Sequence, residues 1–114
     1  MITIKVKHLN ESEKAYLIES VKNDKERFFT DLPTNSSYTI RDNGIIIPAF
    51  INIENDVATL LWINKDFRRK GYGSFLINSF NIKYVQAHHS SISFWKALNF
   101  NMVNSKGLIC MKKN

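Results

Sequence analysis

The stretch Val57-Ala58-Thr59-Leu60-Leu61-Trp62-Ile63-Asn64-Lys65-Asp66-Phe67-Arg68-Arg69-Lys70-Gly71-Tyr72-Gly73-Ser74 joins the most apolar strand-like segment of the chain to a basic, glycine-bearing loop. Residues 57–63 are almost continuously apolar, as a central strand covered on both faces is. Beyond the loop, Phe75, Leu76 and Phe80 indicate a short helix. A buried strand, a glycine loop and a helix together form a physical recipe for holding a phosphate. Glycine lets the backbone come close to an anion and adopt conformations a side chain forbids. Successive N–H groups of the loop and the first helical turn then point free donors at the ligand. Arg68, Arg69 and Lys70 surround that position with positive charge. A Walker loop is excluded, because lysine precedes glycine in Lys70-Gly71. A dinucleotide fingerprint is excluded as well, because Leu76 stands where its third glycine belongs. Taken alone, the string reads equally well as a solvated basic turn.

Outward from this loop the chain divides into alternating elements. Ile2, Ile4 and Val6 alternate with polar residues, as in a half-buried strand. Asn10 can cap a helix and Glu13, three residues on, can reach back to it. Ile18, Val21, Lys25 and Phe28 keep helical spacing, so the helix is expected to run on until just before Asp31-Leu32-Pro33. Strands are expected at residues 38–41 and 45–53, joined by the hairpin signal Asp42-Asn43-Gly44, with a bulge or unpaired position at Pro48. Glu54-Asn55-Asp56 turns the chain into the central strand. Downstream, residues 82–87 read as a strand, and His88-His89-Ser90-Ser91 as the cap of a helix carrying Ile92, Phe94, Trp95 and Leu98. Met102-Val103 and residues 108–111 close the chain around a turn at Ser105-Lys106-Gly107.

The 114 residues suit one domain, 1–114, and 44% hydrophobic residues suit a packed core. No apolar run approaches a membrane span, and residues 1–5 lack the regions of a signal peptide. A soluble, cytoplasmic protein with no membrane partner is expected. Cys110 is the single cysteine, which excludes an intramolecular disulfide and agrees with a reducing compartment. The net charge of +6 favours an anionic partner: nucleic acid, an acidic protein or a phosphorylated cofactor.

Arg68-x-x-Gly71-x-Gly73, directly after the strand ending in Ile63, resembles the coenzyme A signature of the GNAT N-acetyltransferases. Phe94-Trp95-Lys96-Ala97-Leu98-Asn99-Phe100 resembles the family's later aromatic-Tyr-x-x-x-Gly-Phe motif. The likeness is clear over residues 57–100, and the first half fits in outline. It implies an α/β (α+β) fold: a mixed, mostly antiparallel central sheet flanked by helices, with a clipped helix after the loop. It implies acetyl-CoA as co-substrate and no metal. The backbone of Trp62 and Ile63 would pair with the pantetheine arm. Arg68, Arg69, Lys70, Gly71, Tyr72, Gly73 and Ser74 would hold the pyrophosphate. The thioester would lie in a gap between the strand ending at Ile63 and the strand at 82–87, where an amine attacks it directly.

The sequence departs from the family pattern in three places. Trp95 stands where the family often has a tyrosine that protonates the leaving thiolate, and an indole N–H cannot do so. A core aromatic is the alternative reading of Trp95. Tyr72 and Tyr84 are conceivable substitutes. The family's strand glutamate falls at Val57, leaving Thr59 on the same face and Glu54 and Asp56 in the preceding turn, where solvated carboxylates are common. Histidine, as a residue type, suits removal of an ammonium proton, so His88 and His89 are candidates beside their alternative as exposed or capping residues. Adjacent histidines point apart, which disfavours a metal. The segment from Gly73 to Phe94 is also short, which suits an exposed lysine or N-terminal amine on a protein, or a small polyamine. A catalytically inactive CoA-binding protein and a basic nucleic-acid module are the competing functions, although no nucleic-acid signature is present. Free strand edges allow a homodimer.

Overall fold

The computed structural model describes residues 1–88, 91–103 and 109–114. The described residues form a seven-stranded sheet: β1 (Ile2–Lys5), β2 (Tyr38–Asp42), β3 (Ile45–Glu54), β4 (Val57–Ile63), β5 (Tyr84–Gln86), β6 (Phe100–Val103) and β7 (Cys110–Lys113). Its order is β1-β2-β3-β4-β5-β7-β6, with β4 and β5 parallel and the other pairs antiparallel. The helices are α1 (Glu11–Lys22), α2 (Tyr72–Asn78) and α3 (Ile92–Ala97). The mixed, mostly antiparallel sheet and the short helix after the loop agree with the sequence reading. The expected turn at 105–107 lies outside the described residues.

Helix α1 starts on the expected capping box. Asn10 Oδ1 accepts from the Glu13 amide at 2.8 Å, and Glu13 Oε1 accepts from the Asn10 amide at 3.1 Å. Its end differs from the reading. The helix stops at Lys22, and Lys25 and Phe28 lie beyond it. Arg27 folds back, and its Nη1 donates to the carbonyls of Val21, Lys22 and Asp24 at 3.0–3.1 Å. The last carbonyls are thus satisfied by a side chain instead of by further helix.

Pro48 sits where the strand bulges. Tyr38 pairs with Ile51 and Ile40 with Ile47, so Thr39 alone faces Pro48, Ala49 and Phe50. The buried Thr39 hydroxyl lies within hydrogen-bond distance of the Ile47 and Ala49 carbonyls and bridges this irregularity. Proline, which has no N–H to donate, fits such a position. The hairpin at Asn43 (φ 50°) and Gly44 (φ 79°) has the two positive φ values its sequence requires.

A second bulge governs the site. Asn52 pairs with Leu60 and Ile53 with Ala58, which leaves Thr59 as the extra residue on β4. The bulge changes the alternation of the strand. Ala58, Leu61 and Ile63 pack with Leu76, Ile77 and Trp95 on the face of α2 and α3. Leu60 and Trp62 pack instead with Phe50 and Val21 on the face of α1.

Candidate active site

β4 and β5 pair at two positions only, Val57 with Tyr84 and Ala58 with Val85. At Thr59 the paired stretch ends. From there the two parallel strands leave a gap, and a cleft of about 580 Å³ occupies it. Leu60 to Ile63 all line this cleft, which therefore runs along the edge of β4 beyond the bulge. The gap expected between these two strands is therefore present, although β5 spans Tyr84–Gln86 and not all of 82–87.

The basic loop borders one end. Arg68, Arg69 and residues 71–74 line the cleft, as do Trp62 and Ile63. Lys70 does not, and its ammonium lies 5.5 Å from the Phe67 ring centroid. Arg69 (φ 62°) and Gly71 (φ 86°) both take the left-handed conformation, which turns the chain sharply into α2. Gly71 is the N-cap residue, and among the described residues no side chain caps this turn. The amides of Tyr72, Gly73 and Ser74 in the first turn have no intrahelical acceptor. Arg68 folds back along the loop, where its Nε donates to the Ile63 carbonyl at 3.0 Å.

The second glycine has a different job from the one the sequence suggested. Gly73 has no positive φ. A Cβ there would stand 2.9 Å from Phe94 Cζ and 3.0 Å from Ile63 Cδ1. Gly73 therefore admits Phe94 of α3 to the wall of the cleft, which links the two sequence motifs physically.

Phe28, Thr59, Gln86, His88 and Ser91 line the rest of the cleft, Thr59 and Gln86 where the two strands part. The His88 ring stacks on Phe28, with centroids 4.3 Å apart and planes 19° apart. The His88 carbonyl accepts from the Ser91 amide at 2.9 Å and from the Ser91 hydroxyl at 2.8 Å. Ser91 thus spends its hydroxyl on this turn and not on capping α3. His89 lies outside the described residues. Thr59 donates to the Asn52 carbonyl at 3.3 Å.

Of the remaining candidates, Tyr72 and Trp95 border the cleft and Tyr84 does not. The Tyr84 ring lies 5.9 Å from the Lys112 ammonium and does not line the cleft. Tyr72 lines it, but its hydroxyl donates to Asp42 Oδ2 at 3.0 Å. That hydrogen bond to Asp42 raises the Tyr72 pKa above the ordinary tyrosine value, with burial and the Asp42 charge acting in the same direction. Trp95 is 3% exposed and packs edge-to-face on Phe100, as a core aromatic does, and it also borders the cleft. Among the described residues no group of three His, Cys, Asp or Glu side chains could hold a metal. No helix among them is long and apolar enough to cross a membrane.

Sequence reasoning missed Phe28, Gln86, Ser91 and Phe94 as cleft residues. Its helical spacing places Phe28 on the apolar side of the first helix, but α1 ends at Lys22. The adjacent aromatics Phe28-Phe29 just before a polar turn were its only signal.

No family model matches the sequence, and no curated protein matches it. Solved structures do. The chain superposes on Tetrahymena GCN5 with a TM-score of 0.53 and 20% identity, over 68% of this chain and 66% of that one. It matches Ard1 from Thermoplasma volcanium with a TM-score of 0.59 and 15% identity, over 96% and 93% of the two chains. It matches the Bacillus subtilis N-acetyltransferase YlbP, in complex with coenzyme A, with a TM-score of 0.53 and 21% identity, over 91% and 81%. The chain has the fold of the GNAT N-acetyltransferases.

Proposed function

We propose that this protein transfers an acetyl group from acetyl-CoA to an amine. The observation that carries the reading is the parting of β4 and β5 at the Thr59 bulge, with the Gly71 turn at one end of the resulting cleft. The residues fit the co-substrate. About 580 Å³ is within the usual range for small-molecule sites. Leu61, Ile63, Phe67 and Phe94 offer apolar walls to a pantetheine arm. The free amides of residues 72–74, with Arg68 and Arg69 beside them, suit a pyrophosphate.

Bound there, acetyl-CoA supplies an activated acetyl carbon that an amine attacks directly. The chain's own contribution is to align the two reactants and exclude water. Backbone groups of Trp62 and Ile63 hold the arm as an added strand would, once Arg68 leaves the Ile63 carbonyl for the pyrophosphate. Thr59, Gln86 and His88 are polar side chains of the cleft that can contact the acceptor. The shortened segment with its seven-residue α2 suits an amine presented by another protein or a small free amine. The cytoplasm is the proposed compartment, supported by the single cysteine.

A second reading, a CoA-binding protein without turnover, is favoured by one observation: neither Tyr72 nor Tyr84 turns a free hydroxyl into the cleft. Thiol release from acetyl-CoA in the presence of an amine panel separates the two. Release that depends on both amine and protein supports transfer. Tight CoA binding without release supports the second reading.

A further inference from the structure

The electrostatics of the cleft bear on the acceptor. The chain has ten carboxylate side chains, and none of them lines the cleft. Glu11, Glu13 and Glu19 lie on α1. Asp24 accepts from the Trp62 indole and Asp42 from the Tyr72 hydroxyl. Glu26 lies with Asp24 in a separate polar hollow beside Lys25 and Lys65. Asp31 is exposed, Glu54 and Asp56 flank the β3–β4 turn, and Asp66 lies in the turn after β4. Residues 89–90 and 104–108, outside the described set, contain no Asp or Glu. Among the described residues, the charged side chains lining the cleft are those of Arg68 and Arg69. Phe28 remains 54% exposed although His88 covers one face of its ring.

An ammonium entering the cleft loses hydration and meets no anion in return. It must also lose a proton before it can attack. A neutral amine avoids both costs, and an apolar frame gains by packing on Phe28. We propose, resting on the acetyl-transfer reading above, that the acceptor is a weakly basic amine on an apolar or aromatic frame. The α-amine at a peptide N-terminus and an arylamine share that chemistry. Lysine side chains and polyamines do not. The reference pKa is about 7.8 for an α-amine and about 10.4 for lysine, so their neutral fractions at pH 7 differ by roughly 300-fold. In the step itself, the amine nitrogen bonds to the acetyl carbon and the carbon–sulfur bond breaks. Sulfur keeps the electron pair and takes up the proton the amine releases.

The test begins with calorimetric binding of acetyl-CoA, whose failure sinks the functional reading itself. With binding in place, transfer at pH 7 is compared among four acceptors. These are a peptide with a free α-amine on phenylalanine, an N-terminally blocked peptide with one lysine, spermidine, and a ring-substituted aniline. The expected result is a kcat/KM for the free-amine peptide or the aniline at least roughly 100-fold above those for the lysine peptide and spermidine, in keeping with the neutral fractions. Which of the two is preferred distinguishes a peptide from a small-molecule source. Lysine or spermidine turnover within tenfold of the better weak base overturns the inference while leaving acetyl transfer intact. Gln86→Glu supplies a carboxylate to the cleft wall and is expected to raise the lysine to α-amine ratio about tenfold. An unchanged ratio contradicts the proposed role of the charge.

Discussion

Gly73 and Phe94 touch so closely that a methyl group on the glycine would stand 2.9 Å from the phenylalanine ring. They lie in the two sequence motifs, and their contact brings α3 against the first turn of α2 beside the cleft. Gly73→Ala is expected to cost about 1–3 kcal/mol by overpacking. It should also weaken acetyl-CoA binding, because Phe94 or the turn must shift. Phe94→Leu in the same chain should restore part of both losses. Thermal melting and calorimetry on the single and double variants check this, and simple additivity would contradict it.

Asp24 and Trp62 bind β4 to the segment after α1, the indole Nε1 donating to Asp24 Oδ2 at 2.8 Å. Trp62 is 3% exposed, so Asp24→Ala leaves a buried donor without its acceptor. The expected loss is about 1–3 kcal/mol in urea denaturation. Asp24→Asn keeps an acceptor and should lose less. A double-mutant cycle with Trp62→Phe should show coupling between the two positions.

Much of this architecture was legible locally. Asn10 and Glu13 mark the start of α1, Asn43-Gly44 marks a hairpin, and the left-handed Asn99 (φ 69°) ends the α3 segment where the family pattern has glycine. Features that depend on partners distant in sequence were not legible. Lys25 and Phe28 continue the helical spacing, but Arg27 closes α1 early, and Phe28 meets His88 instead. Nothing local marks Thr59 as a bulge, because the mismatch is set by its register against Asn52 and Ile53. Tyr72 could be proposed as an acid from its loop position alone. Its actual partner, Asp42, lies 30 residues away.

That partner gives a pH prediction. Of the four tyrosines, Tyr72 should titrate above the ordinary value near pH 10, and Asp42→Ala should bring it back down. Because the folded-state value is raised, the contact contributes stability that is fully present below about pH 10. That stability is lost as pH rises through the folded value. The stability gap between the wild type and Tyr72→Phe should therefore be flat through neutral pH and shrink in alkali. Phenolate absorbance and pH-dependent melting follow the two effects.

His88 is expected to act on the acceptor and not on the cofactor, given its place in the cleft wall stacked on Phe28 and outside the Arg68–Ser74 loop. His88→Ala should lower kcat/KM for the amine by about 10- to 100-fold while leaving acetyl-CoA affinity nearly unchanged. A matching loss of acetyl-CoA affinity would contradict that placement.

The central claim is that the Arg68–Ser74 loop, at one end of the cleft between β4 and β5, holds coenzyme A. Calorimetric titration of acetyl-CoA into the wild type and into the Arg68→Ala, Gly71→Glu double variant tests it most directly. The expected result is micromolar binding by the wild type and none by the variant, with both proteins folded by circular dichroism. Absence of wild-type binding, or equal affinity in the two proteins, would contradict the claim.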